Sequence, residues 1–208
     1  MVRFARTGGE ANAVAVRIAR AASGKDNVAI CGYHGWHDWY LATNLQSKDA
    51  LDSHLLSGLE TQGVPKSLNG TVYPFQYNDL RALERIVNDH NIGVIKMEVI
   101  RNEAPEDNFL ENVRDLATKK GIVLIFDECT SGFRETYGGI YKKFNVEPDI
   151  AMYGKALGNG YAITAIVGKE DVMQAAQNSF ISSTFWTERI GPSAALKTLE
   201  VMEREKSW

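Results

Sequence analysis

Gly121–Arg134 reads GIVLIFDECTSGFR, and the fold turns on how that stretch is understood. Lys119-Lys120 look like the basic end of a helix, with Gly121 as its stop. Ile122 to Phe126 are all apolar and show no alternation, which predicts a strand covered on both faces of a parallel sheet. Asp127 and Glu128 stand where the run ends. In an open parallel sheet the carboxyl ends of the strands border the ligand crevice. A carboxylate placed there is costly unless a cationic or protonated group meets it.

Similar punctuation extends in both directions. Strands are predicted near residues 2, 28, 72, 94, 122, 149 and 163. Between them, helical spacing recurs at Ala11, Val14, Ala15, Ile18 and Ala19, closed by Gly24, and again over Asp79–His90. Asp107 or Asn108 is placed to cap a helix over Leu110–Lys120, and Glu170–Gln177 reads as a further helix. Pro192 suits the first turn of a last helix carrying Leu196, Leu199 and Met202. Strands alternating with helices predict an α/β fold, a three-layer α/β/α sandwich with a seven-stranded, mostly parallel sheet. Leu41–Gly70 lacks periodicity and reads as a surface excursion, with a short helix around Ala50–Leu59.

The bulk numbers exclude several classes. The chain has 208 residues, 44% hydrophobic and 24% charged, which is ordinary for a globular protein and enough for one domain with a proper core. Net charge is −3, and no basic cluster is longer than a pair, which argues against a nucleic-acid partner. No apolar run approaches membrane-spanning length, and the opening MVRFARTGG lacks a signal-peptide stretch. Cys31 and Cys129 lie at strand ends without C-x-x-C spacing, as buried reduced thiols do. The expected location is cytoplasmic.

The partner of Asp127 is the open question. A structural ion pair or a helix cap is the plain answer. A magnesium-binding strand of an ATPase would need G-x-x-x-x-G-K-[ST] upstream, and no such string occurs. The pyridinium nitrogen of pyridoxal 5'-phosphate (PLP) would need a lysine for a Schiff base. Asp149–Tyr161 (DIAMYGKALGNGY) offers Lys155 after a second short apolar strand. Near the start, a strand, the turn Thr7-Gly8-Gly9 and a helix make a geometry that leaves backbone N–H groups free for an anion. Tyr33 to Tyr40 (YHGWHDWY) is the densest aromatic stretch. His34 and His37 lack a third metal ligand at a recognisable spacing, so aromatic packing or stacking on a flat ring is the reading.

Taken in order, these strings resemble class III, fold-type I PLP-dependent aminotransferases, in particular the glutamate-1-semialdehyde aminomutase-like branch. The matching strings are Phe4–Ala11, Tyr33-His34-Gly35, Phe126-Asp127-Glu128 with Gly132-Phe133-Arg134, Gly154–Gly158, and Thr184-Phe185. The resemblance implies Lys155 as Schiff-base lysine and proton shuttle, desolvated with a lowered pKa, and Asp127 at the ring nitrogen. It implies Gly8 and Gly9 at the phosphate, Tyr33 on the ring face with His34 beside it, and Glu98 near the cofactor. Thr184 would reach the phosphate of a neighbouring subunit, making a homodimer that acts on a small-molecule amino donor and acceptor. Gly9, Val99 and Ser131 depart from the family, which usually carries Ser or Thr, Pro and Thr there. Family members are also longer. Residues 1–208 therefore correspond to the cofactor-binding large domain, without the family's N-terminal segment and C-terminal small domain. A catalytically impaired remnant serving as a binding or assembly module is the alternative reading.

Overall fold

The decisive strand begins where its helix is made to stop. In the computed structural model, which describes residues 1–54 and 56–208, Gly121 adopts φ 62° and closes α4 (Phe109–Lys120). Its N–H donates to the carbonyls of Ala117 and Thr118, a left-handed cap that glycine makes without strain. The chain then enters β5 (Val123–Glu128), every residue of which is buried.

Seven strands form one sheet in the order β1-β7-β6-β5-β4-β2-β3. They are β1 (Val2–Ala5), β2 (Asn27–Cys31), β3 (Val72–Pro74), β4 (Ile92–Glu98), β5, β6 (Ile150–Tyr153) and β7 (Thr164–Gly168). β2 to β6 run parallel, while β7 is antiparallel to both β6 and β1. The expected count and the mostly parallel sense are both found. Pro74, which has no N–H to donate, ends β3 at the sheet edge.

Side-chain alternation divides the core into two layers. Val28, Ile30, Val94, Ile125, Ile150 and Met152 pack against α1 (Gly8–Ser23) together with Met173 and Ala176. Ala29, Ile95, Met97, Leu124 and Phe126 pack against α3 (Leu80–Asp89) and α4 on the opposite face. Ala11, Ala15, Ile18 and Ala19 are wholly buried, so the helical spacing read in the sequence is the face that α1 turns to the sheet. Asp79 caps α3 by accepting from the Ala82 N–H at 2.9 Å.

Several local expectations are corrected. Asn108 precedes α4 but makes no side-chain cap; it takes φ 56°, and the Asn112 amide bonds the Asp107 carbonyl instead. Glu170–Gln177 divides into α5 (Glu170–Met173) and a 3₁₀ turn over Gln174–Asn178. In the last helix, α6 (Ile190–Glu205), Met202 is buried but Leu196 is 60% exposed and is not a core residue. A one-turn helix α2 (Asp38–Leu41) leads into the Leu41–Gly70 excursion, whose described residues carry 3₁₀ turns over Ala42–Leu45 and Lys66–Leu68. The helix expected around Ala50–Leu59 is not formed by the residues described there, and Leu55 lies outside them. Among the described residues no helix is long and apolar enough to cross a membrane.

Candidate active site

Asp127, the penultimate residue of β5, lies on the face that looks toward α1, because it shares parity with Ile125 and Val123. Its side chain is almost completely buried, so its charge requires partners. Three meet it. His34 Nδ1 lies 2.9 Å from Oδ2, the Lys96 ammonium lies 3.7 Å from the same oxygen, and the Cys129 N–H donates to Oδ1 at 3.1 Å. Burial alone would raise the carboxyl pKa, but Lys96, His34 and the Cys129 amide together hold it well below the usual carboxylate range.

His34 is itself fully buried, and both of its ring nitrogens face oxygen: Asp127 Oδ2, and the Cys31 carbonyl at 3.2 Å. Burial and then the Lys96 charge push its pKa down, against the raising effect of the Asp127 carboxylate. Trp39 and Tyr40 enclose it, with ring centroids 6.4 and 5.7 Å away. The aromatic stretch therefore packs over the end of β2 and seats one histidine against Asp127.

Lys96 was not singled out by sequence reasoning. The string GVIKMEV reads as a strand, and a strand buried on both faces leaves its one lysine without solvent. That was the available signal: a lysine inside such a run requires a carboxylate nearby. In the structure it is fully buried, and besides Asp127 it meets Met152 Sδ at 3.1 Å.

The two adjacent acids divide by face. Glu128 turns toward the α4 side, accepts from Ser131 Oγ at 2.5 Å and from the Tyr141 N–H at 3.1 Å, and so holds the 130–141 loop. Burial raises its pKa, and those hydrogen bonds pull it back.

Glu98 pairs in register with Asp127 on the neighbouring strand. It accepts the Tyr33 N–H at 3.1 Å and Arg101 Nε at 2.7 Å. Its observed task is thus to fix the backbone of Tyr33. The Tyr33 ring is half-buried and packs edge-on against Tyr40.

At the start of α1, Thr7 is the N-cap and its hydroxyl accepts from the Glu10 N–H at 3.3 Å. The Gly8 and Gly9 N–H groups meet no acceptor among the described residues. A Cβ added at Gly9 would lie 2.9 Å from Cδ2 and Nε2 of His37, so the imidazole would have to shift to admit a side chain. The imidazole fills the space that a side chain at position 9 would take.

Lys155 follows β6 on a 3₁₀ turn, at φ 42°, with Nζ donating to Thr130 Oγ1 at 2.8 Å. It is exposed, which corrects the expectation of a desolvated amine. Thr184 is also exposed and opens a 3₁₀ turn capped by Ser183. The Ser183 hydroxyl reaches Glu10 at 3.4 Å, so this turn sits near the start of α1.

The described residues include no group of three or more His, Cys, Asp or Glu able to hold a metal. The Leu41–Gly70 excursion contributes His54 to a cleft of about 250 Å³ bordered by Gly32, Gln76, Glu98 and Arg101. The Gly32 N–H donates to its Nδ1 at 3.0 Å, and burial brings its pKa down to about 4. A larger cleft of about 840 Å³ lies between Ala156–Tyr161 and α6 and includes neither Asp127 nor Lys96.

Comparison with known proteins matches residues 1–208 to the model of the family described as aminotransferase class-III. The 3-aminobutyryl-CoA aminotransferase of Cloacimonas acidaminovorans is 40% identical over 99% of this chain and 48% of its own length. The glutamate-1-semialdehyde 2,1-aminomutase of Sulfolobus acidocaldarius is 35% identical over 98% of the chain and 50% of its own length. An omega-transaminase from Sphaerobacter thermophilus superposes with a TM-score of 0.81 at 26% identity, over 98% of this chain and 49% of that one. The chain thus spans about half the length of the relatives it matches.

Proposed function

We propose that this chain, which belongs to the class III aminotransferase family, is the PLP-binding large domain of an enzyme that moves an amino group between small molecules. The carrying observation is Asp127: a buried, ionised carboxylate at the carboxyl end of a central parallel strand, on the side of the sheet where α1 begins. The residues present fit the cofactor. Gly8 and Gly9 offer two free amides at a helix N-terminus for a phosphate. Lys155 offers an exposed primary amine, and Asp127 offers an acceptor for a protonated ring nitrogen.

When bound, PLP supplies an electron-withdrawing ring that stabilises negative charge on the substrate carbon carrying the amino group. Asp127 would keep a proton on the ring nitrogen. Lys155, whose Nζ is held by Thr130 Oγ1, would be the residue that tethers the cofactor and moves a proton at the substrate carbon. Tyr33, positioned through its backbone by Glu98, would supply an aromatic face for the ring. His34 acts through Asp127 by orienting the carboxylate. Thr184 of a second copy completes the phosphate site, which makes the working unit a homodimer, and the protein acts in the cytoplasm.

Borohydride reduction of the PLP-treated protein tests this reading. The reduced adduct should map by mass spectrometry to Lys155, and Lys155→Ala should lose the visible absorbance band. An adduct on another lysine, or a band that survives Lys155→Ala, contradicts it.

A further inference from the structure

Lys96 occupies the middle of β4, where the residues on both sides are buried and apolar apart from Glu98 at the strand end. Removing an ammonium from water is expensive, and only close opposite charge offsets it. The partners available to Nζ are Asp127 Oδ2 at 3.7 Å and the weakly accepting sulfur of Met152 at 3.1 Å. The other titratable groups that bear on it are Glu98 on the same strand, Cys129 after β5 and His34 after β2. Glu98 is committed to Arg101 and to the Tyr33 amide, and Cys129 is held neutral by burial. Asp127 is therefore the carboxylate that compensates Lys96.

That pairing matters because the same carboxylate is the one assigned above to the cofactor's ring nitrogen. A lysine cation and a ring cation on one buried carboxylate repel each other. Among the described residues the site also has no second free anion with which to share them. We propose that Lys96 is the resident counter-ion of Asp127 and competes with the cofactor's ring nitrogen for that carboxylate. It is a positioning residue, setting how strongly the ring nitrogen is held without touching the ring. The inference rests on the reading of Asp127 as the partner of that nitrogen.

The ring nitrogen's own contribution can be isolated with two ligands, PLP and its 1-deaza analogue, in which C–H replaces the nitrogen. The ratio of their dissociation constants is measured by equilibrium dialysis at one pH for wild type, Lys96→Met and Asp127→Asn. Wild type should bind PLP more tightly than the analogue. In Lys96→Met that preference should grow about tenfold or more, the scale of one charge interaction in a partly screened site. In Asp127→Asn it should collapse toward one. A lysine that merely propped Asp127 in place would give the opposite result, a smaller preference in Lys96→Met. A preference that is unchanged or reduced overturns the inference while leaving the Asp127 assignment intact. Failure to distinguish the two compounds in both wild type and Lys96→Met overturns the Asp127 assignment, and the inference with it. Lys96→Gln, uncharged but polar, gives the same comparison if the methionine variant does not fold.

Discussion

Replacing Asp127 by asparagine should cost the cofactor-free protein more stability than any other single isosteric change at the site. The variant keeps the shape and one acceptor for His34, but leaves the Lys96 ammonium buried without its counter-charge. At 3.7 Å, and with an effective dielectric near 20, opposite unit charges attract by roughly 4 kcal/mol. Breaking a buried pair from one side costs about 3–5 kcal/mol on the same scale. We expect that loss in urea unfolding near neutral pH, read from the midpoint at unchanged slope. The pH dependence gives a second handle. Burial lowers the Lys96 pKa in the folded state, and losing Asp127 removes the largest effect opposing it. The unfolded chain then binds more protons than the folded one at every pH between the depressed value and the unfolded value of about 10.4. Stability of Asp127→Asn should therefore rise as the pH is raised across that window, narrowing the gap to wild type. The double variant Lys96→Met/Asp127→Asn should recover most of the loss, since an apolar replacement of a whole buried pair is often near neutral. A single variant within about 1 kcal/mol of wild type and flat with pH, or a double variant that is simply additive, would refute the pairing.

Two further outcomes follow from the geometry. Gly121→Ala should cost about 1–2 kcal/mol in urea unfolding, because φ 62° penalises any Cβ while no atom lies within 4 Å of one there; no loss at all would mean that α4 ends differently in solution. Thr184→Ala should weaken PLP binding by about 0.5–2 kcal/mol and make dimer dissociation easier when cofactor is removed; a monomer in sedimentation that still binds PLP tightly would mean Thr184 has no part in a neighbour's site.

The sheet was legible because its strands are short apolar runs bounded by glycine, proline and capping residues, and such punctuation survives without tertiary information. Asp127 was legible for the same reason: its position is the end of a run. The exposure of Lys155 was not legible, since it depends on the turn after β6, and its hydrogen bond joins Thr130, 25 residues earlier. His34 could be placed near the site but not paired, because its contact with Asp127 joins residues 93 apart. The Leu41–Gly70 excursion gave no periodic signal because the elements its described residues form are single turns. Its polar contacts, such as the Gly32 amide on His54, are individual hydrogen bonds rather than a repeat.

The Asp-Glu pair illustrates what only the folded chain supplies. Adjacent strand residues point to opposite faces, so one of the two acids had to face α1 and the other α4. Nothing in the local string says which. The choice is made by Ile125, which packs under α1, and by Phe126, which packs with α3 and α4. Parity then carries Asp127 to the α1 side, where Met152 and Lys96 also lie, and sends Glu128 to the loop at Ser131 and Tyr141. The two carboxylates are compensated differently by those surroundings. Asp127 stays ionised beside an ammonium, while burial raises the pKa of Glu128 and hydroxyl and amide donors satisfy it. A one-residue slip of β5 would exchange the two and place Glu128 against Lys96, so the register of this strand against β4 is itself a determinant of the site.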